Sequence, residues 1–161
     1  MRWLFIALLA LLTTAPALAA PFIDKVLVLK SERRLEVISH GEVIRQYRVS
    51  LGKQPVGHKQ RSGDQRTPEG FYFIDWRHES ELYNLSLHLD YPNLKDRAAA
   101  WKRGDDPGSM IMIHGTPIDE EYPEWFFEGL DWTNGCIALT NDNMQELWDL
   151  VPDGTLVEIR P

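Results

Sequence analysis

Apolar and polar positions alternate along much of this chain in short runs broken by turn residues. The runs are "KVLVLK" at 25–30, "RLEVIS" at 34–39, "EVIRQYRVS" at 42–50, "GFYFIDW" at 70–76 and "LYNLSLHL" at 82–89, the last with Leu85, Leu87 and Leu89 two apart. Period two is the signature of strands. The brief interruptions "SER" and "HG" between the first three predict consecutive hairpins in a mostly antiparallel sheet. "SMIMIHG" at 109–115 predicts an apolar strand that ends on His114, and "TLVEI" at 155–159 a closing strand. Two segments carry the helical period instead. "NLKDRAAAWKRG" at 93–104 has Asn93 as N-cap and Gly104 as stop, and "TNDNMQELWDLVP" places Met144, Leu147, Trp148 and Val151 on one stripe before Pro152 ends it. The pattern predicts one mainly β domain with one short helix before the cysteine and one after it, without internal repeats.

The N-terminus "MRWLFIALLALLTTAPALAAP" departs from that pattern. One basic residue, an apolar run too short to span a bilayer and a closing Ala17-Leu18-Ala19 predict a cleaved signal peptide at 1–19. An uncleaved anchor is the competing reading. A signal implies export to the periplasm or cell envelope, a mature domain at 20–161 and no stable membrane insertion after cleavage. The net charge of −7 and the lack of a basic patch argue against nucleic acid as a partner.

Export makes the single cysteine informative. Cys136, in "DWTNGCIAL", has no second cysteine to pair with, so it is a buried inert thiol, an intermolecular bridge or a reactive group. A reactive thiol needs a base. Of the five histidines, His40 falls in a predicted turn, His58 in a long basic loop (52–70), and His78 and His88 lack the paired spacing of a zinc site, so no metal is expected. His114 ends a rigid apolar strand and precedes Gly115, which lets other backbone approach. Asn134 and Gly135 favour a tight turn just before the thiol, whose amides can converge on an oxyanion.

The ordered set "RTPEGFY" at 66–72, "MIHGTP" at 112–117 and "TNGCIALTN" at 133–141 resembles the L,D-transpeptidase catalytic domain, also called YkuD, across nearly all of residues 22–160. The resemblance implies a β-sandwich with two short helices and no cofactor. It implies that Cys136 attacks a peptidoglycan stem peptide, that His114 is the base and that the Gly115 carbonyl orients the imidazole. Two common family residues are absent: Asn134 stands where a histidine is usual and Ala138 where an arginine often grips a carboxylate. The segment 116–132, rich in acidic and aromatic residues, is expected to act as a lid or to tuck onto the sheet. Expected substrate contacts are Thr133, Arg66, Glu120, Trp125 and Trp132, with Lys53, Lys59 and Arg61 of the basic loop as further groups for stem carboxylates.

Sortases and papain-like or NlpC/P60 peptidases fit less well. The only arginine after Cys136 is Arg160, and no histidine follows the cysteine. A wall-binding or scaffold module with an altered site remains the non-enzymatic alternative.

Overall fold

Strands form where the alternation predicts them. The computed structural model describes residues 21–118 and 122–161. The segment read as a signal peptide, and Glu120 with its two neighbours, lie outside those residues. Strands β1 (Lys25–Leu29), β2 (Arg34–Ser39) and β3 (Glu42–Arg48) make two hairpins. The second turns at His40 and Gly41, both in the left-handed region, which suits a tight hairpin turn. Then follow β4 (Gly70–Ser80), β5 (Asn84–Leu89), helix α1 (Leu94–Arg103), β6 (Met112–His114), helix α2 (Glu124–Glu128), β7 (Ile137–Ala138), helix α3 (Asn141–Leu150) and β8 (Leu156–Arg160).

The strand order is β3-β2-β1-β8-β4-β5-β6-β7, antiparallel except for the pairs β1–β8 and β6–β7. The long β4 serves both halves. Gly70–Phe73 pair with β8, residues 74–80 pair with β5, and the register shifts between Ile74 and Trp76. Such an irregularity bends a strand, and here it turns the ladder so that one buried core is shared. Val26, Val28, Leu35 and Tyr72 come from one half, Leu87, Ile113 and Ile137 from the other, and Met144 and Leu147 from the stripe of α3.

Both predicted helices form for the expected reasons. Asn93 and Asp96 make a reciprocal capping box on α1, and Gly104 ends it at φ 75°. Thr140 caps α3. The third helix, α2, was not expected. It has only five residues, opens at Pro123 without a side-chain cap, and interrupts a segment whose aromatic and acidic residues follow no period.

The chain after β3 crosses to the far edge of the ladder. Ser50 bridges Ala138 and Gly52 bridges Thr133. A cysteine at 136 is therefore held between two pinned positions.

Candidate active site

The backbone clamp is built from four hydrogen bonds. Ser50 and Ala138 exchange both of theirs at 2.9 Å, Thr133 N–H donates to Leu51 O at 3.2 Å, and Lys53 N–H donates to Thr133 O at 3.0 Å. Between the pinned ends, the Thr133 hydroxyl donates to Cys136 O at 2.7 Å and accepts from Gly135 N–H at 3.1 Å. Thr133 is buried, its hydroxyl holds the loop, and the residue borders the cleft that His114 lines. Gly135 adopts φ 132°, and a Cβ there would lie 2.7 Å from Arg66 O, which leaves glycine as the fitting residue. Its N–H is spent on Thr133, so it is not free for an oxyanion.

His114 is buried at the end of β6, with Nδ1 2.6 Å from the Gly115 carbonyl oxygen. A carbonyl only accepts, so Nδ1 carries the proton and Nε2 keeps its lone pair. Tyr83 packs on the ring at 4.8 Å between centroids, and Trp132 meets it edge-on at 5.7 Å. Gly115 permits the crowding: a Cβ there would lie 2.9 Å from Tyr83 O. Burial lowers the His114 pKa, opposed by the Gly115 contact. Burial raises the Cys136 pKa, opposed by the Met112 amide and the Lys59 charge. The resting pair is thus a neutral thiol and a neutral imidazole. The Cys136 thiol donates to Met110 O at 3.6 Å, a carbonyl that Met110 presents from a left-handed backbone at φ 60°.

Cys136 and Asn134 stand where two clefts meet. One, of about 490 Å³, is lined by His114, Tyr83, Phe126, Trp132 and Lys53. The other, of about 390 Å³, is lined by Lys59, Gln65, Gly108 and Met110. Lys59 is buried, paired with Asp64 at 2.8 Å and bonded to Arg61 O at 3.1 Å. Although burial opposes ionisation, Lys59 and three backbone N–H groups hold Asp64 down at about 2. Among the described residues no group of three or more His, Cys, Asp or Glu side chains is placed to hold a metal ion.

Arg66 meets the site through its carbonyl, while its guanidinium lies against Gly57. Trp125 is 71% exposed and lines neither cleft, unlike Trp132. The described parts of the segment 116–132 are tied to the domain at several points. Glu124 accepts from the Thr116 hydroxyl at 2.8 Å and from the first amide of α3, a favourable place for an anion. Asp131 takes a forked pair of bonds from Arg33 and one from Leu51 N–H. Ser50 donates to Phe127 O at 2.8 Å. Sequence reasoning missed Tyr83, Met110, Glu124 and Asp131. Tyr83 sits in a strand-like run, and nothing local marks any of the four.

Residues 23–159 match the model of the L,D-transpeptidase catalytic domain. YafK of Escherichia coli (strain K12), named as a candidate L,D-transpeptidase, is 29% identical over 140 residues, covering 83% of this chain and 49% of its own length. YqjB of Bacillus subtilis (strain 168), named likewise, is 30% identical over 139 residues, covering 83% of this chain and 69% of its own. The helical cell shape determining protein Pgp2 of Campylobacter jejuni superposes with a TM-score of 0.64 at 26% identity, covering 88% of this chain and 50% of that one. Bd1075 of Bdellovibrio bacteriovorus gives 0.62 at 29% identity, covering 88% and 49%. The chain spans about half the length of the first curated relatives it matches.

Proposed function

Since this chain belongs to the L,D-transpeptidase catalytic-domain family, we propose that it transfers acyl groups of peptidoglycan stem peptides through a thioester on Cys136. The observation that carries the reading is the pair of neutral groups on one cleft: a buried His114 whose Nδ1 is fixed by Gly115 O, and a thiol at the cleft junction. His114 Nε2 takes the thiol proton as sulfur attacks the carbonyl of the third stem residue. It then delivers that proton to the leaving amine of the terminal D-alanine. An incoming amine gives a cross-link or an exchanged D-amino acid, and water gives carboxypeptidase action.

Because burial disfavours a standing thiolate–imidazolium pair, proton transfer accompanies attack. The Asn134 amide and the Cys136 N–H are the donors left for the oxyanion, the Gly135 N–H being occupied. Lys59 lines the second cleft with the thiol, but its buried ammonium is already paired with Asp64 and does not take over the role of the arginine that Ala138 replaces. The proposed location is the periplasm or cell envelope. Among the described residues no helix is long and apolar enough to cross a membrane.

Purified disaccharide-tetrapeptide, with and without a D-amino acid, tests the proposal by mass spectrometry. Loss of D-alanine and a covalent adduct on Cys136 are expected, both absent in Cys136→Ser. Undiminished turnover by the serine variant ends the thiol mechanism. Absence of any mass change with the wild type favours the binding-module reading.

A further inference from the structure

We propose that Trp76, with His88 and Asp75 beside it, is a saccharide subsite that stacks a sugar ring of the glycan from which the stem peptide hangs; its link to catalysis rests on the acyl-transfer reading above. The register carries the argument. Trp76 lies opposite His88 and His88 opposite Met112, while Ile113 lies opposite Ile137. Met112 and Cys136 are thus the preceding positions of that parallel pair. Opposed residues project to one face of a sheet, so Trp76, His88 and Met112 form a row leading to the nucleophile. The neighbouring row is His78, Ser86, His114 and Ala138. Leu87 and Ile113 turn to the opposite, core-facing side. One face of the sheet therefore holds the reacting pair near one edge and an aromatic group three strands away, about 14 Å at about 4.8 Å per strand.

The group has the chemistry of a sugar platform. The Trp76 and His88 rings stack at 4.5 Å with 12° between planes. His88 is buried, whereas Trp76 stays 37% exposed, so the indole is a plate fixed from behind. The imidazole Nδ1 donates to Asp75 Oδ1 at 2.6 Å, and the Asp75 side chain is 40% exposed, leaving its other oxygen to accept a hydroxyl. His78 stands edge-on to Trp76 at 6.4 Å. A fixed ring flanked by a few polar groups matches a pyranose, which offers an apolar C–H face and a rim of hydroxyls. The length also agrees. Three extended residues between the acyl carbon and the sugar span about 10–11 Å, and the extra methylenes of a γ-linked second residue bring this to about 13 Å.

Titration of the isotope-labelled protein with a β-1,4-linked N-acetylglucosamine tetramer, read at the tryptophan indole N–H signals by NMR, is the test. Binding should shift the Trp76 signal, identified by its loss in Trp76→Phe. Affinity should fall by about three- to tenfold in Trp76→Ala, the size of an aromatic stacking contact. It should be largely kept in Trp76→Phe and unchanged in Trp125→Ala. No binding by the wild type, or equal binding by Trp76→Ala, overturns the subsite. A second readout compares kcat/KM for disaccharide-tetrapeptide and sugar-free tetrapeptide. The preference for the former should vanish in Trp76→Ala while the sugar-free rate stays unchanged, and a preference that survives the substitution counts against the subsite. If the wild type turns over neither peptide, the acyl-transfer reading fails, and the titration still decides the sugar site.

Discussion

Replacing Thr133 by valine keeps the shape of the side chain and removes one oxygen that makes two bonds. The Gly135 N–H, 3.1 Å from that oxygen, then loses its acceptor in a buried position, and the Cys136 carbonyl loses its donor at 2.7 Å. An orphaned buried polar group costs about 1–3 kcal/mol. The amide has a single hydrogen and no second partner, so it bears the fuller penalty. The carbonyl is only partly buried and has a second lone pair for water, so it bears the smaller. The expected loss is about 2–4 kcal/mol, concentrated in the turn that aims the thiol. Urea unfolding should report that loss in Thr133→Val, and single-turnover acylation should slow by about tenfold or more as the loop samples unproductive positions. Thr133→Ser keeps the hydroxyl and should stay within about 1 kcal/mol of wild type, the value of the missing methyl. If the valine variant matches the wild type in both stability and acylation, the hydroxyl does not organise the loop.

The remaining predictions concern the pair and its surroundings. His114→Ala should slow acylation by about two to four orders of magnitude, the usual share of a positioned base, and His40→Ala should leave it unchanged; equal effects would mean the base is misassigned. Because burial depresses the His114 pKa, the imidazole stays neutral below its ordinary value of 6.5, so acylation should hold from neutral pH down past that value before falling. The unfolded chain binds this proton first, so the contribution of His114 to stability is present above pH 6.5 and lost as pH falls toward its lowered native value; a rate profile with its acid limb above pH 6.5 would contradict both statements. Gly135→Ala should impair both folding and acylation, since the new Cβ would stand 2.7 Å from Arg66 O at φ 132°, and an alanine variant with wild-type melting and rate would remove the steric argument. Asn134→Leu should slow acylation at a cost of about 1–3 kcal/mol if its amide faces the oxyanion; an unchanged rate would leave the Cys136 N–H as the oxyanion donor.

The alternation of apolar residues, the capping residues Asn93, Gly104 and Thr140 and the turn at His40–Gly41 are local signals, and each acts within a few residues of itself. That is why strands, two of the three helices among the described residues and the hairpins were legible in the chain alone. So was the choice of Cys136 and His114 as candidates, which the fold brings to one cleft, because a lone cysteine after Asn134-Gly135 and a histidine ending an apolar strand stand out in order and type. What the linear pattern could not carry is everything that depends on which distant segments meet. The parallel pairing of β1 with β8 and of β6 with β7, the two bridges from Ser50 and Gly52, and the contacts of Glu124 with α3 and of Asp131 with Arg33 each join residues far apart in sequence. The same physics set where side chains at the site are spent. Thr133 gives its hydroxyl to two backbone partners, and Arg66 places its guanidinium against Gly57. Side-chain type is written in the sequence, whereas burial and direction are set by packing, and in a half-buried thiol and a buried imidazole those two decide which protons are held at rest.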